Sequence, residues 1–241
     1  MRLQVAVILV LIGTLAGCGP RSTPTPVALP TPTPAPADVA QLAARRMQAV
    51  RSLHFVMELA GKPVPLDSEG SMLLQVAEGD LVRPDQVRAL VKVVAWGMTS
   101  EIGIVAIGRD RFATNPMNQK WEKLPPDQGW FFDAGLIFDS EVGLESILLN
   151  SEWSFGPQQT IEGQVHAALH GTVPAERIAP LASGLITAGP VEVDVWVSLE
   201  DGSVRRIQMV ELESEPLDPT QWLLTFSAFD ELKGIKPPPV D

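Results

Sequence analysis

The chain of 241 residues contains one cysteine and far fewer basic than acidic side chains. A single cysteine excludes an intrachain disulfide and a metal cage built from several thiolates. Eighteen lysines and arginines stand against 29 aspartates and glutamates, which gives a net charge of −11. The chain lacks the clustered cations that nucleic-acid phosphates require, and we expect no nucleic-acid partner.

Aromatic residues are also scarce, at 6% of the chain, whereas hydrophobic residues reach 45% and charged residues 20%. This composition excludes a collagen-like chain, a coiled coil and a wholly disordered chain. The length suffices for one domain with a sizeable core.

Catalytic motifs are missing as well: the sequence has no Gly-x-Ser-x-Gly elbow, His-Glu-x-x-His pair, Walker loop or dinucleotide-binding glycine pattern. His166 and His170 lie four residues apart on an alternating apolar run, where a strand would separate them by about 13 Å. We interpret them as two solvent-side histidines, and His54 has no partner in sequence. The sequence thus favours neither an enzyme nor a metal or cofactor site.

The N-terminal segment predicts export and lipidation. Residues 1–17 begin with Met1 and Arg2 and continue as an uncharged run whose apolar stretch, residues 5–12, is too short to span a bilayer. The run ends in Leu15-Ala16-Gly17-Cys18, which resembles the bacterial lipobox. We interpret Cys18 as the acylated N-terminus of an extracytoplasmic protein anchored on the outer face of the cell membrane. The alternative is an ordinary secretory leader with an incidental cysteine.

A proline- and threonine-rich segment, residues 18–37, follows the leader. Its prolines alternate with small or polar residues at Pro20, Pro24, Pro26, Pro30, Pro32, Pro34 and Pro36. Such a segment favours an extended tether, with a reach of up to roughly 60 Å at about 3.1 Å per residue. We interpret it as a spacer, since export removes it from cytosolic partners that bind proline-rich ligands. Residues 38–241 form the predicted folded domain.

The folded part predicts an α+β domain with an antiparallel sheet. An amphipathic helix follows Asp38, which with Gln41 makes a capping pair. Two further helices are predicted near residues 140–150 and 174–185, the second shortened by Pro180. Nine strand-like runs are predicted, at residues 52–59, 71–77, 86–98, 101–107, 111–114, 164–173, 191–199, 204–212 and 222–229. Their succession indicates a meander-like sheet with helices on one face.

The run at residues 86–98 is apolar on both faces. We therefore expect both of its faces to be covered, and a sheet this large can curl around a space that small side chains leave unfilled. An apolar cavity would suit a lipophilic ligand. Periodicity alone does not separate such a cavity from a fully packed core.

Eight segments of the folded part follow a family-like order, at residues 52–62, 70–82, 107–114, 120–122, 143–148, 160–164, 171–175 and 191–201. Their order is more specific than any one motif. In these segments the chain resembles the LppX/LprAFG-type lipoproteins, best described from mycobacteria, and the resemblance spans residues 38–239.

This resemblance implies a strongly curved antiparallel sheet, a half-barrel covered by helices on its concave side, similar to the carriers LolA and LolB. It also implies a hydrophobic cavity that holds acyl chains of lipids or lipoglycans and carries them in the cell envelope. On the strands, the expected wall residues are Leu74, Val76, Val91, Val93, Ile104, Ala167 and Leu169. On the helices they are Leu144, Leu148, Ile178 and Leu181. A one-residue error in register would exchange the strand members for their neighbours.

Two functions remain open at this point. The first is a monomeric lipid carrier or chaperone, with a lipid or glycolipid ligand. The second is a lipid- or partner-sensing surface lipoprotein with no transport role. The sequence does not identify the lipid, the number of envelope membranes, or whether a lipid exporter is a partner.

Overall fold

The computed structural model describes residues 34–125 and 134–240. Elements are numbered in chain order. The helices are α1 (Pro36–Ala49), α2 (Ala134–Phe138), α3 (Leu144–Asn150) and α4 (Ala175–Ile178), the last continued by a 3₁₀ turn (Ala179–Ala182). The strands are β1 (Ser52–Ala60), β2 (Val64–Pro65), β3 (Met72–Val82), β4 (Gln86–Ala95), β5 (Met98–Ile107), β6 (Asp110–Thr114), β7 (Trp121–Leu124), β8 (Ser154–Ile161), β9 (Gln164–Pro174), β10 (Pro190–Ser198), β11 (Val204–Glu211) and β12 (Thr220–Ser227).

All the strands join one antiparallel sheet made of two meanders. Its order is β7-β6-β5-β4-β3-β1-β12-β11-β10-β9-β8, with β2 paired to β3. The long-range pair β1–β12, in which Phe55 faces Phe226, joins the two meanders. The α+β class and the antiparallel sheet are thereby confirmed. That the helices cover a concave side of a half-barrel remains a prediction.

Three of these strands have no clear signal in the sequence. β2 and β7 have two and four residues, too few to show an alternation. β8 contains Gly156 and Pro157 and is mostly exposed, and its pairing with β9 shifts between Gly156 and Gln159. Glycine, proline and polar residues hide an edge strand because they match the signals of a loop.

Antiparallel pairing places the turns of the sheet at two opposite ends. The first, which we call the Trp96 end, contains residues 61–71, 96–97, 115–120, 183–189 and 212–219. The second, which we call the Arg83 end, contains residues 83–85, 108–109, 162–163 and 199–203.

Helix α1 buries Val39, Ala43 and Met47, the face that the sequence predicts. The predicted capping pair is wrong. Helix α1 begins at Pro36, and Asp38 lies three residues inside the N-cap Ala35, whose N–H donates to Asp38 Oδ2 at 3.0 Å. A proline at the first helical position has no N–H to leave unpaired, which is why the helix starts there.

The other two predicted helices are shorter than expected. Helix α3 starts at Leu144 rather than near residue 140, because the carboxylate of Asp139 accepts hydrogen bonds from the backbone N–H groups of Glu141 and Val142 and holds a turn there. Helix α4 ends at Ile178, and Pro180 lies in the 3₁₀ turn that follows. The predicted shortening is confirmed, since a proline ring clashes with the carbonyl four residues before it.

One face of the sheet, the inner face, packs with the helices into a single hydrophobic core that runs from Val39 to Phe226. Residues 34–241 form a compact unit by themselves, and this core lies within it. The expectation that both faces of the run 86–98 are covered is wrong. On β4, Val91 and Val93 are buried, whereas Leu90 on the outer face is 43% exposed.

The C-terminal tail is fastened to the Arg83 end through Asp230. Its Oδ1 accepts a hydrogen bond from the backbone N–H of Arg51 at 2.7 Å, and its Oδ2 accepts one from Arg46 Nη2 at 3.0 Å. The neighbouring Phe229 ring lies beneath the guanidinium groups of Arg46 and Arg205, at 5.7 and 5.0 Å. Burial by itself raises the pKa of Asp230, but these hydrogen bonds and charges hold it below its ordinary value of 3.8.

Replacing Asp230 with asparagine is expected to destabilise the domain by about 1 kcal/mol at pH 7, or about 3 °C in Tm. A carboxylate with a lowered pKa stabilises the fold above its ordinary pKa, and this contribution is lost as the pH falls through the folded-state value. The difference between the variant and the wild type should therefore shrink below about pH 4. Thermal unfolding between pH 7 and pH 2.5 measures it, with the exposed neighbour variant Glu231→Gln as control. A difference that stays constant over this range would contradict the assignment.

Candidate ligand site on the inner face

A small apolar cavity lies between the first meander and the loops of the Trp96 end. Its volume is about 50 Å³. The sheet contributes the inner-face side chains of β1, β3, β4 and β5, and three loop residues close the cavity from the other side. The lining residues are Phe55, Met57, Leu66, Leu74, Ala77, Val87, Ala89, Val91, Ile104, Ser183 and Leu185. Ser183 is the one polar residue in this lining, so the described wall suits hydrocarbon.

Small residues on adjacent strands create the space. Gly79 pairs with Phe55 on one side and with Ala89 on the other, and Ala77 lies one row away, paired with Met57. A Cβ on Gly79 would lie 2.1 Å from the carbonyl oxygen of Arg88, so this position accepts no side chain. Gly79 therefore allows β4 to approach closely, and the short side chains of Ala77 and Ala89 leave a depression that the larger residues around them do not fill.

The distribution of helices explains why the depression stays open. Helices α1 and α4 make their main sheet contacts with the second meander, on β9 and β10. Over the first meander, the main helix contact of the described residues is that of the short helix α2 with β4. The inner face of β1, β3 and β4 therefore receives less helical cover than that of β9 and β10.

Three loop residues, Leu66, Ser183 and Leu185, which we call the cover, lie over the cavity. Ser183 has a left-handed conformation, with φ of 55°, directly after the 3₁₀ turn. Leu185 also lines a surface cleft of about 480 Å³ that runs between residues 62–65 and 184–188. The side chain of Leu185 thus lies between this cleft and the cavity.

The sequence-predicted wall residues divide into three groups. Leu74, Val91 and Ile104 line the cavity. The others on the inner side are buried in the core but lie outside the cavity lining: Val93, Ala167, Leu169, Leu144, Leu148, Ile178 and Leu181. Val76 lies on the outer face, paired with Glu58 and Lys92, and lines a different cleft of about 470 Å³.

The placement of Val76 corrects the expectation that it shares a face with Leu74. The pairing of β3 with β4 shifts between Leu74 and Val76, so one extra residue, Gln75, interrupts the alternation. A bulge of one residue moves every later side chain of the strand to the opposite face. Ala77 consequently takes the inner position.

Some lining residues carry a sequence signal and others do not. Phe55 and Met57 lie on the alternating apolar face of the first predicted strand, and Val87 and Ala89 share a face with Val91. The alternation alone could therefore have predicted these four residues as part of the cavity wall. The cover residues lie in loops, where no periodicity predicts which side chain turns inward.

Two histidine–aspartate pairs lie on the outer face of the sheet. The Nδ1 atom of His54 lies 2.9 Å from Asp80 Oδ1, and that of His170 lies 3.0 Å from Asp194 Oδ1. His166 is 1% exposed, so the interpretation of two solvent-side histidines is wrong for this one. In the ranges that the structure describes, no group of three or more histidine, cysteine, aspartate or glutamate side chains is arranged to hold a metal ion.

The predicted anchor Cys18 lies outside the described residues, as do residues 1–17 and most of the predicted tether. None of the helices in the described ranges combines the length and the apolar character needed to cross a membrane.

Comparison with known proteins gives a consistent result. The family model described as LppX_LprAFG lipoprotein matches residues 35–232. A relative from Mycobacterium tuberculosis, named lipoarabinomannan carrier protein LprG, is 25% identical over 237 residues, which cover 98% of this chain and 94% of the relative. The crystal structure of LprF from Mycobacterium bovis has a TM-score of 0.67 at 14% identity and covers 86% of this chain and 98% of LprF. The crystal structure of the lipoprotein LppX from Mycobacterium tuberculosis has a TM-score of 0.53 at 19% identity and covers 83% of this chain and 100% of LppX. The chain belongs to the LppX_LprAFG lipoprotein family.

Proposed function

We propose that this protein is a membrane-anchored carrier of acyl lipids in the cell envelope. Cys18 provides the anchor on the outer face of the membrane, residues 18–37 the tether, and the folded domain the lipid site. The observation that carries the proposal is the apolar cavity on the inner face of β1, β3 and β4, lined by hydrocarbon side chains and one hydroxyl. The relative named as a lipoarabinomannan carrier supports a lipid or lipoglycan as ligand.

The volume of the cavity requires that loading be coupled to movement. Sites for small ligands measure about 300–1,000 Å³, whereas this cavity measures about 50 Å³. An acyl chain can enter only if the cover moves away from the sheet. Leu185 is the side chain best placed to move, because it stands between the cavity and the open cleft of about 480 Å³. In the described conformation the cavity is thus too small for an acyl chain.

The energetics of an apolar site suit a carrier. Removing a chain of about 15 methylenes from water gains about 12 kcal/mol, at about 0.8 kcal/mol per methylene. A bilayer offers a similar gain, so exchange between membrane and cavity is nearly balanced in free energy. The protein can therefore both load and release lipid without a covalent step, which agrees with the expectation that it is not an enzyme.

A second function, lipid or partner sensing without transport, is supported by the small volume of the cavity. If the ligand serves as a signal, its entry would displace the cover and alter the surface around residues 184–188. Transfer of lipid between two vesicle populations supports the carrier. A change in affinity for a protein partner on loading, without transfer, supports the sensor.

The proposal is tested by native mass spectrometry of residues 34–241, purified from a bacterial envelope without detergent. This range keeps the N-cap Ala35 of α1 and the whole described core. We expect about one diacyl or triacyl lipid per protein, identified by extraction. A folded protein that stays free of lipid, and that does not take up lipid from vesicles, would contradict the carrier and the lipid sensor and leave only the sensing of a protein partner.

A further inference from the structure

The most exposed apolar side chains of the described residues gather at one end of the sheet. Leu217 is 95% exposed, Met117 89%, Trp96 80% and Met98 66%. Each lies in or directly beside a turn of the Trp96 end, on the β11–β12, β6–β7 and β4–β5 connections. Single exposed apolar residues are ordinary, but four of them on three connections at one end of the sheet form a coherent surface.

Trp96 occupies a position that the turn itself does not favour. Ala95 pairs with Met98, so Trp96 and Gly97 form a two-residue hairpin turn. Their φ angles are 49° and 76°. Positive φ at both positions favours Asn-Gly, and a bulky residue there is sterically strained. Because this side chain is 80% exposed and packs on no core, the strain has no benefit within the fold.

The cavity is covered from the same end. Leu66, Ser183 and Leu185 all belong to turns of the Trp96 end, and the clefts beside them open there. A carrier that loads lipid must pass the acyl chain from the bilayer to this cover. Passage through water would cost about 0.8 kcal/mol for each exposed methylene, so direct contact between this end and the membrane removes the largest barrier.

We propose that Trp96, Met98, Met117 and Leu217 form a membrane-contacting rim, which docks the Trp96 end on the lipid bilayer and presents the cover of the cavity to it. This inference rests on the proposed carrier function. Tryptophan is the residue best suited to the boundary between headgroups and acyl chains, and methionine and leucine insert beside it. The N-terminal anchor makes docking an intramolecular event, for which weak intrinsic affinity is sufficient.

The charge at the Trp96 end indicates which kind of lipid headgroup the rim favours. The turns of the Trp96 end carry two lysines, Lys62 and Lys120, against five acidic residues, which are Asp67, Glu69, Glu213, Glu215 and Asp218. This excess of negative charge repels anionic headgroups, and salt screens the repulsion. The rim therefore suits a zwitterionic surface and should bind an anionic one less tightly at low salt.

The test is co-flotation of residues 34–241 with phosphatidylcholine vesicles. The variant Trp96→Asn gives the turn its preferred Asn-Gly pair, so we expect its Tm to equal or exceed that of the wild type. Its vesicle binding should fall about tenfold, equivalent to about 1.4 kcal/mol. The matched control is Leu199→Asn, at a residue that is 47% exposed at the Arg83 end, and it should bind as the wild type does. Vesicles with added phosphatidylglycerol should bind more weakly at low salt and recover at high salt.

Three outcomes would overturn the rim. The first is no vesicle binding by the wild type, and the second is equal loss in the Trp96 and Leu199 variants. The third is concentration-dependent dimerisation in sedimentation that Trp96→Asn abolishes, which would assign the surface to a second copy. Lipid occupancy by native mass spectrometry separates this inference from the proposed function. If the protein holds lipid but does not bind vesicles, the membrane-contacting rim is refuted and the carrier function stands. If it binds vesicles but never holds lipid, the carrier function is refuted.

Discussion

Replacing Val91 with tryptophan is expected to lower lipid occupancy by at least about tenfold while the sheet remains folded. Val91 lies in the middle of the cavity wall, paired with Ala77 and Ile102. An indole at this position fills a space of about 50 Å³ and blocks the path of an acyl chain. Overpacking costs about 1–3 kcal/mol, which a domain of this size can tolerate. Native mass spectrometry after exposure to lipid vesicles measures the occupancy.

The matched control is the next residue of the same strand. Leu90 faces outward and is 43% exposed, so Leu90→Trp adds the same side chain outside the cavity and should leave occupancy unchanged. If Val91→Trp unfolds the domain, the smaller change Ala89→Leu tests the same wall. Full occupancy in a folded Val91→Trp or Ala89→Leu protein would place the lipid site elsewhere.

Replacing Arg83 with methionine is expected to cost about 3 kcal/mol of folding free energy, or about 6–12 °C in Tm. The guanidinium group donates to three backbone carbonyls: Nε to Val50 at 2.5 Å, Nη2 to Met47 at 3.1 Å, and Nη1 to Phe138 at 3.1 Å. These carbonyls lie at or just beyond the C-terminal ends of α1 and α2, where a helix leaves acceptors unpaired. The guanidinium also stacks on the Phe138 ring, 4.3 Å from its centre.

Arg83 is thus the link between the β3–β4 turn and two helices. Burial lowers the pKa of its guanidinium, and the charge of Glu145 acts in the opposite direction. Thermal unfolding of Arg83→Met measures the effect, with Arg88→Met as control. Arg88 has a 62% exposed side chain and forms an ion pair with Asp80 at 2.5 Å, and exposed pairs contribute at most about 1 kcal/mol. Equal losses in the two variants would contradict the role of Arg83 as a helix clamp.

The local elements of this fold were largely predictable, because their signals are short-range. Val39, Ala43 and Met47 repeat at four-residue intervals and bury one face of α1. Alternation of inner and outer side chains predicts β4, where Val91 and Val93 are buried between polar or exposed neighbours. The resemblance to the LppX/LprAFG-type family rests on the order of such elements and is confirmed by the match over residues 35–232.

The candidate site was predictable only where the alternation is unbroken. Leu74, Val91 and Ile104 line the cavity because each lies on the expected face of its strand. Val76 does not, because the shift at Gln75 reverses the faces within β3. Nothing in the local pattern marks a bulge, since it depends on how β4 pairs with its neighbour.

By itself, the sequence determined most of the elements, the antiparallel class and the family. The tertiary structure decided which loops meet. It brings Leu66 and Leu185 together over Ala77 and Ala89, places Arg83 against the ends of two helices, and gathers the exposed loop tips around Trp96 at the end that covers the cavity. Periodicity in a sequence reports on neighbours a few residues apart, whereas these contacts join residues that only the pairing of distant strands brings close.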